Sequence, residues 1–138
     1  MPVPSEWNLT GKSVILTSDG RGWTPHFSSA LAEAGADVVI AGSQRSEIDE
    51  SVMAVEAQGQ KSLGLQMDLT KFDDVEEMVC RVVSEFGGVD VLVNNVCVDF
   101  GKPFIDVTES EWQSIMDFNL KSIFLCCQQV GKQMLQQG

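Results

Sequence analysis

Short aliphatic runs rich in β-branched residues alternate along this chain with longer stretches whose apolar positions recur every three or four residues. Ser13–Thr17 (SVILT) reads as a first strand. A helix is expected from Pro25 to Ala34, with Phe27, Ala30, Leu31 and Ala34 on its apolar face. Thr24 would be its N-cap, Pro25 its first residue and Gly35 its stop. Residues 37–41 (DVVIA) form the second expected strand, and 46–57 a helix with Ile48, Val52 and Val55 in register, ended by Gly59. A third strand of weaker pattern covers 61–67. Thr70-Lys71-Phe72-Asp73 has the form of a capping box. The helix it opens carries Phe72, Val75, Val79, Val82 and Phe86 and stops at Gly87-Gly88. Residues 89–95 (VDVLVNN) are the fourth strand. Thr108-Glu109-Ser110-Glu111 then caps one long helix running to about Gln137.

Strand and helix alternating four times predict an α/β fold, a parallel sheet with helices on both faces, in one domain spanning 1–138. Two features do not close within it. The fourth strand is apolar at nearly every position, the mark of a strand buried on both faces near a sheet centre, yet no fifth strand follows it. The last helix, at roughly 27 residues, would be ~40 Å long against ~20 Å for a six-residue strand. It carries Trp112, Ile115, Met116, Ile123, Phe124, Cys127, Val130 and Met134. That apolar surface needs further chain or another subunit to cover it, so the domain is expected to be incomplete.

Composition narrows the function. Nine basic and 20 acidic residues give a net charge of −11, which repels nucleic acid and anionic membrane. Tyrosine is absent and His26 is the single histidine, so multi-histidine metal sites are excluded and no metal is expected. Cys80, Cys97, Cys126 and Cys127 have no metal or disulfide spacing and read as buried free thiols. The opening Met1-Pro2-Val3-Pro4 starts no signal peptide and no run is long enough to span a membrane, so a cytoplasmic location is expected.

The candidate chemistry lies at the strand ends. Residues 16–25 (LTSDGRGWTP) follow the first strand as a glycine-bearing turn into a helix. A dinucleotide-phosphate turn needs glycine for tightness, for close approach to pyrophosphate and for helix–strand packing. Gly20 and Gly22 meet part of that need, whereas Ser18 and Thr24 do not. A purely structural turn is equally consistent with these residues. A P-loop is not, because Gly11-Lys12-Ser13 precedes its strand. After the second strand, Gly42-Ser43-Gln44-Arg45 contains no acid to hold a ribose 2′-OH, and Arg45 with Arg21 suits a 2′-phosphate. Asp68 ends the third strand, either facing the ligand crevice or capping the next turn. Asn94-Asn95 ends the fourth with the same ambiguity. Asn119 is an unusual mid-helix asparagine. His26 and Cys97 could pair as base and nucleophile but lack a third, orienting group.

Taken in order, these pieces resemble the short-chain dehydrogenase/reductase family. TSDGRGW is similar to its T-G-x-x-x-G-x-G turn, with Thr17 and Gly22 matching and Ser18 and Thr24 replacing glycines. Asp68 in MDLT matches the family's adenine-contacting aspartate. NNVC at 94–97 resembles N-N-A-G, with Val96 and Cys97 departing, and Asn119 in DFNLKSIF falls on the asparagine of the active-site tetrad. The resemblance runs from Leu9 to the end. It implies a Rossmann-type three-layer fold, truncated after the fourth strand and its long helix. It further implies NADP or NAD held by Thr17, Ser18, Gly20, Arg21, Gly22, Trp23, Ser43, Arg45, Asp68, Leu69, Asn94 and Asn95, with Asn119 catalytic. NADP is preferred by the arginines, and Ser18, Thr24 and Cys97 in glycine positions weaken the grip. The substrate would be a small carbonyl or alcohol, and the family's use of the long helix in assembly implies a homo-oligomer through 109–137. Its Ser/Tyr/Lys proton relay is missing here, so the chain alone is expected to be an inactive cofactor-binding half. The alternative is a catalytically inactive nucleotide-binding or assembly module. From a different class, a phosphoacceptor receiver domain would use Asp68 as acceptor and Asp19 as metal partner, but wants a fifth strand.

Overall fold

The computed structural model describes residues 4–138; the Met1-Pro2-Val3 opening lies outside them. Four parallel strands form one sheet: β1 (Ser13–Ser18), β2 (Asp37–Gly42), β3 (Ser62–Gln66) and β4 (Val91–Val93), in the order β3-β2-β1-β4. Every residue of β1 is buried, as its central place requires. Side chains alternate across the sheet with the two-residue period of a strand. Ile15, Val39 and Leu65 point to one side, where they meet Val75, Met78 and Val82 of helix α3 (Phe72–Phe86). Leu125, Cys126 and Val130 of helix α5 (Ser122–Gln137) complete that core. Val14, Leu16, Val38 and Ile40 point to the other side, against α1 (Thr24–Glu33) and α2 (Arg45–Glu56), where Ala32, Ile48 and Val55 are buried. This is the expected three-layer, Rossmann-like α/β arrangement.

The strand order excludes the receiver reading. A receiver sheet runs 2-1-3-4-5 and would put β3 beside β1; here β1 lies between β2 and β4. Among the described residues no group of three His, Cys, Asp or Glu is arranged to hold a metal ion, and no helix is long and apolar enough to cross a membrane.

Several local expectations are corrected. β4 is three residues long and half-buried, and it lies at the sheet edge instead of the centre. Its apolar run therefore faces open space on one side. α1 begins at Thr24, with Trp23 at the cap position and no side-chain cap bond. The buried face of α1 is Thr24, Pro25, Ser28 and Ala32. The expected face, Phe27, Ala30, Leu31 and Ala34, lines an apolar depression with Trp7, Leu9 and Val93 beside the free β4 edge. Phe27 is 45% exposed there. The box at Thr70 does not form, because Lys71 is the N-cap and the Thr70 hydroxyl bonds Asp68. Gly87 does stop α3, in the left-handed conformation at φ +83°. The Thr108–Glu111 capping box forms with both reciprocal bonds.

The long final helix is one rod in three parts. α4 (Glu109–Met116) runs through a π-helical turn, 117–121, into α5. Only Ser122, Leu125, Cys126, Gln129 and Val130 of α5 are buried. Trp112, Leu120 and Phe124 project outward, the last two more than half exposed. The apolar excess inferred from the sequence is thus a real surface.

The thiols are not all buried. Cys80, Cys97 and Cys127 are exposed and Cys126 alone is buried, since Cys80 and Cys127 lie on helix faces turned away from the core. Burial, with the neighbouring Cys127 adding to it, pushes the Cys126 thiol up to about 12. The thiolate is the reactive form. The native chain is therefore expected to show three promptly reacting thiols in a disulfide-exchange titration and a fourth only after denaturation. Four equally fast thiols would contradict this core.

Candidate functional site

The C-terminal ends of the four strands open to one side, where ligands bind in open α/β sheets. The switch in strand order falls at the β1–β4 boundary. Thr17, at the end of β1, is fully buried and ties the two strands together. Its Oγ1 accepts the Asn95 N–H at 2.8 Å and donates to the Val93 carbonyl at 3.4 Å. Asn95 Nδ2 then donates to Thr24 Oγ1 at 3.3 Å. Thr24, where the family has a glycine, is accommodated in full burial and helps hold the loop.

The other replaced glycine is also accommodated. Ser18 pairs with Gly42 in the β1–β2 register. A Cβ on Gly42 would lie 2.7 Å from the Ser18 carbonyl oxygen and 2.9 Å from its Cβ. Beyond Ser18, Asp19 accepts the Arg21 N–H at 3.0 Å, making a tight polar turn. Gly20 and Gly22 adopt φ +78° and +85°, and a side chain at Gly20 would meet Gln44 Cγ at 2.5 Å. Glycine is required at 20 for both reasons.

The Gly42-Ser43-Gln44-Arg45 segment holds no acid, but one stands two residues beyond it. Glu47, in the first turn of α2, is only 6% exposed and reaches back into the glycine turn. Its carboxylate accepts the Ser18 hydroxyl, the Gly20 N–H at 2.8 Å and the Gly22 N–H at 2.5 Å. Nothing in the local pattern marks it, because the bonds span 25 to 29 residues; the single hint was a first-turn acid opposite a serine in a glycine position. The arginines expected to hold a phosphate have carboxylate partners of their own. Arg21 pairs with Asp99 at 3.1 Å and Arg45 with Asp49 at 2.9 Å.

A crevice runs between Ser18, Gly42, Asp68, Leu69, Val96 and Phe118. Asp68 combines both roles weighed for it. It lines this crevice while its Oδ1 accepts Thr70 Oγ1 at 2.7 Å and the Thr70 N–H at 3.0 Å. The Thr70 hydroxyl, aided by the Thr70 amide and Lys71, holds its carboxyl below the usual range. Leu69 is buried, Ser43 is exposed at the rim and Trp23 is exposed against the His26 ring. Asn94 Nδ2 donates to Cys127 Sγ at 3.4 Å, and its buried Oδ1 has no partner. His26 and Cys97 share no hydrogen bond among the described residues.

Asn119 sits in the π-helical turn, where the Ser122 N–H bonds the Asp117 carbonyl five residues back. Such widened turns tend to occur where a helix carries function. Its side chain accepts the Val98 N–H and donates to the Val98 carbonyl, both at 2.7 Å. Both ends of the amide are thus engaged by the loop that leaves β4. In this state the side chain positions that loop, with one N–H and one oxygen lone pair of the amide left over.

The family model described as short chain dehydrogenase matches residues 12–138. The chain is 39% identical over 128 residues to 3-oxoacyl-[acyl-carrier-protein] reductase FabG of Staphylococcus epidermidis, covering 91% of this chain and 52% of that protein. It is 34% identical over 136 residues to 2-dehydro-3-deoxy-D-gluconate 5-dehydrogenase of Escherichia coli, covering 99% and 53%. A crystal structure of a short-chain type dehydrogenase/reductase from Mycobacterium marinum superposes with a TM-score of 0.89 at 29% identity, over 95% of this chain and 53% of that one. The chain spans about half the length of the relatives it matches. It belongs to the short-chain dehydrogenase family.

Proposed function

We propose that these residues are the cofactor-binding half of an NAD(P)-dependent oxidoreductase acting on a small carbonyl or alcohol. The observation that carries the reading is the meeting of the glycine turn, the Asp68–Leu69 crevice wall and the Thr17–Asn95–Thr24 junction at the strand ends beside the switch point. That is where an extended dinucleotide finds amide donors at one end and a narrow groove at the other. When bound, the nicotinamide would supply the hydride. The residues of this chain would orient it: the amides of α1's N-terminus, left without a side-chain cap, would face pyrophosphate. Asp68 and Leu69 would flank the adenine, and Asn94 and Asn95 the path onward. Ser43 and Trp23 would lie at the rim, and Asn119 would hold the 94–98 loop in shape.

Hydride transfer to a carbonyl needs a proton donor, which typically contributes about 10²–10⁴-fold. No tyrosine is present among the 138 residues. On this reading the chain alone does not reduce a carbonyl, 1–138 is one incomplete domain, and the outward face of 109–137 is where copies assemble. The test is the reading frame. It is expected to continue past codon 138 into a strand and a helix carrying Tyr-x-x-x-Lys, and the longer product to oxidise a reduced nicotinamide with a carbonyl. A stop codon at that point, in the natural transcript, would favour the second reading, a non-catalytic nucleotide-binding or assembly module. The presence of Glu47 inside the glycine turn is the observation that speaks for that second reading.

A further inference from the structure

The crevice at the strand ends is nearly full. Ser18, Gly42, Asp68 and Val96 bring all four strand ends to it, yet the free space between its walls is about 20 Å³, room for about one water molecule. Sites for organic ligands run to about 300 Å³ and more. A purine base, which the proposed cofactor would lodge beside Asp68 and Leu69, does not fit between the walls as they stand. One of them has to move, and they are not equally free.

Most of the walls are fixed. Ser18 and Gly42 are register partners at the adjoining ends of β1 and β2. Leu69 belongs to the core under α3 and α5, and Met67 and Val96 pack against that core. Asp68 is tied to Thr70 through its carboxylate and to Asp74 through its N–H. Ser122 is buried and donates its hydroxyl to the Phe118 carbonyl. Phe118 is different. It lines the crevice, is only half-buried and belongs to neither core cluster. It also sits at a joint, in the π-helical turn between α4 and α5. α5 is anchored in the core by Leu125, Cys126 and Val130, whereas no residue of α4 is buried. That side of the turn therefore offers no packed wall to lock the ring. The adjoining Asn119 is bonded to Val98, so the backbone of the turn is held and the ring is the part left free.

We propose that Phe118 is the gate of the crevice: its side chain fills the space of the base, and a purine enters only when the ring has swung aside toward α4. This rests on the crevice being the cofactor site. A ligand that binds only the open form loses apparent affinity in proportion to the fraction of chains that are open. Minor states of this kind make up about 0.1–10% of a population, so the closed ring weakens purine binding by about tenfold or more. The loss falls on the adenine end alone and does not depend on the contacts made to ribose or phosphate.

The test is calorimetric titration of AMP and NADH into the wild-type chain, Phe118→Ala, Phe118→Leu and Phe124→Ala, each first checked for cooperative thermal unfolding. AMP carries the purine without the nicotinamide end. Phe124 is more than half exposed on α5 and controls for the loss of an aromatic ring from the same rod. The change is read on each ligand that binds. Phe118→Ala is expected to bind about tenfold or more tighter than the wild type. Phe118→Leu should fall between the two, and Phe124→Ala should match the wild type. Should the alanine chain fail to fold, Phe118→Leu carries the comparison, because it keeps an apolar side chain of smaller reach. Equal or weaker binding in the Phe118 variants, or the same tightening in Phe124→Ala, would overturn the gate while leaving the cofactor reading intact. Should neither ligand bind any of the proteins, the cofactor reading falls and the gate falls with it.

Discussion

Gly42→Val is expected to lower the stability of the chain by about 3 kcal/mol, at the upper end of the range for forcing atoms into a packed interior. The reason is local. Residue 42 ends a strand that is buried from Val38 onward, and its Cβ would stand 2.7 Å from the Ser18 carbonyl oxygen and 2.9 Å from the Ser18 Cβ. Neither neighbour yields easily, because one is main chain and the other is fixed by the hydroxyl bond to Glu47. For a domain of this size the loss corresponds to a fall of roughly 10 °C in melting temperature. Gly131→Ala is the matched control. That glycine is helical within α5, and a Cβ there meets nothing within 4 Å. It is expected to hold or raise stability by up to about 1 kcal/mol. Thermal unfolding followed by circular dichroism checks both. A Gly42→Val chain melting like the wild type would mean that Ser18 and Gly42 do not face each other as described.

The second large effect is at Asn119. Replacing it with alanine removes both 2.7 Å hydrogen bonds to Val98 and leaves a partly buried N–H and carbonyl without partners. At about 1–1.5 kcal/mol for each bond, the cost is about 2–3 kcal/mol. It should appear mainly as local opening of residues 94–98 and not as global unfolding, because α4, α5 and the sheet keep their own contacts. Hydrogen exchange of the Val98 amide reads this directly and is expected to accelerate about thirtyfold or more, while core amides such as those of Ile15 and Val39 change little. Asn119→Asp refines the result. It keeps the acceptor for the Val98 N–H but sets a carboxylate against the Val98 carbonyl, so it should not restore wild-type protection. If Val98 exchanges at its wild-type rate in Asn119→Ala, the positioning role is wrong.

Much of the fold was legible because its causes are local. The aliphatic runs at 14–16 and 38–41 became central, buried strands, and Val75, Val79 and Val82 became the core face of α3. Gly87 and the Thr108–Glu111 box ended and began helices where they were expected to. What escaped was settled at long range. Periodicity identifies an apolar face but not which surface covers it, so Phe27 and Ala30 read as core although they flank the open β4 edge. The Thr70 hydroxyl had two possible partners, and Asp68, two residues back, took it. The same limit shaped the candidate site. Asn95 and Asp68 were identified from their places at strand ends, which chain order alone supplies, and Thr17 from its match to the family's glycine turn. Glu47 was missed because its partners lie 25 residues or more away and only the register of β1 against β2 brings them together. The π-helical turn was invisible as geometry, although the asparagine at its middle had drawn notice as a poor helix former.

The central claim is that the groove at the strand ends takes a dinucleotide, and amide resonances titrated with NADH test it most directly, since they report weak binding as well as tight. Saturable shifts at Gly20, Gly22, Asp68, Leu69 and Asn95, with the amides of α2's outer face and of α5 undisturbed, are the predicted result. Resonances that stay fixed at those five positions up to millimolar NADH, or that move only elsewhere, would contradict it.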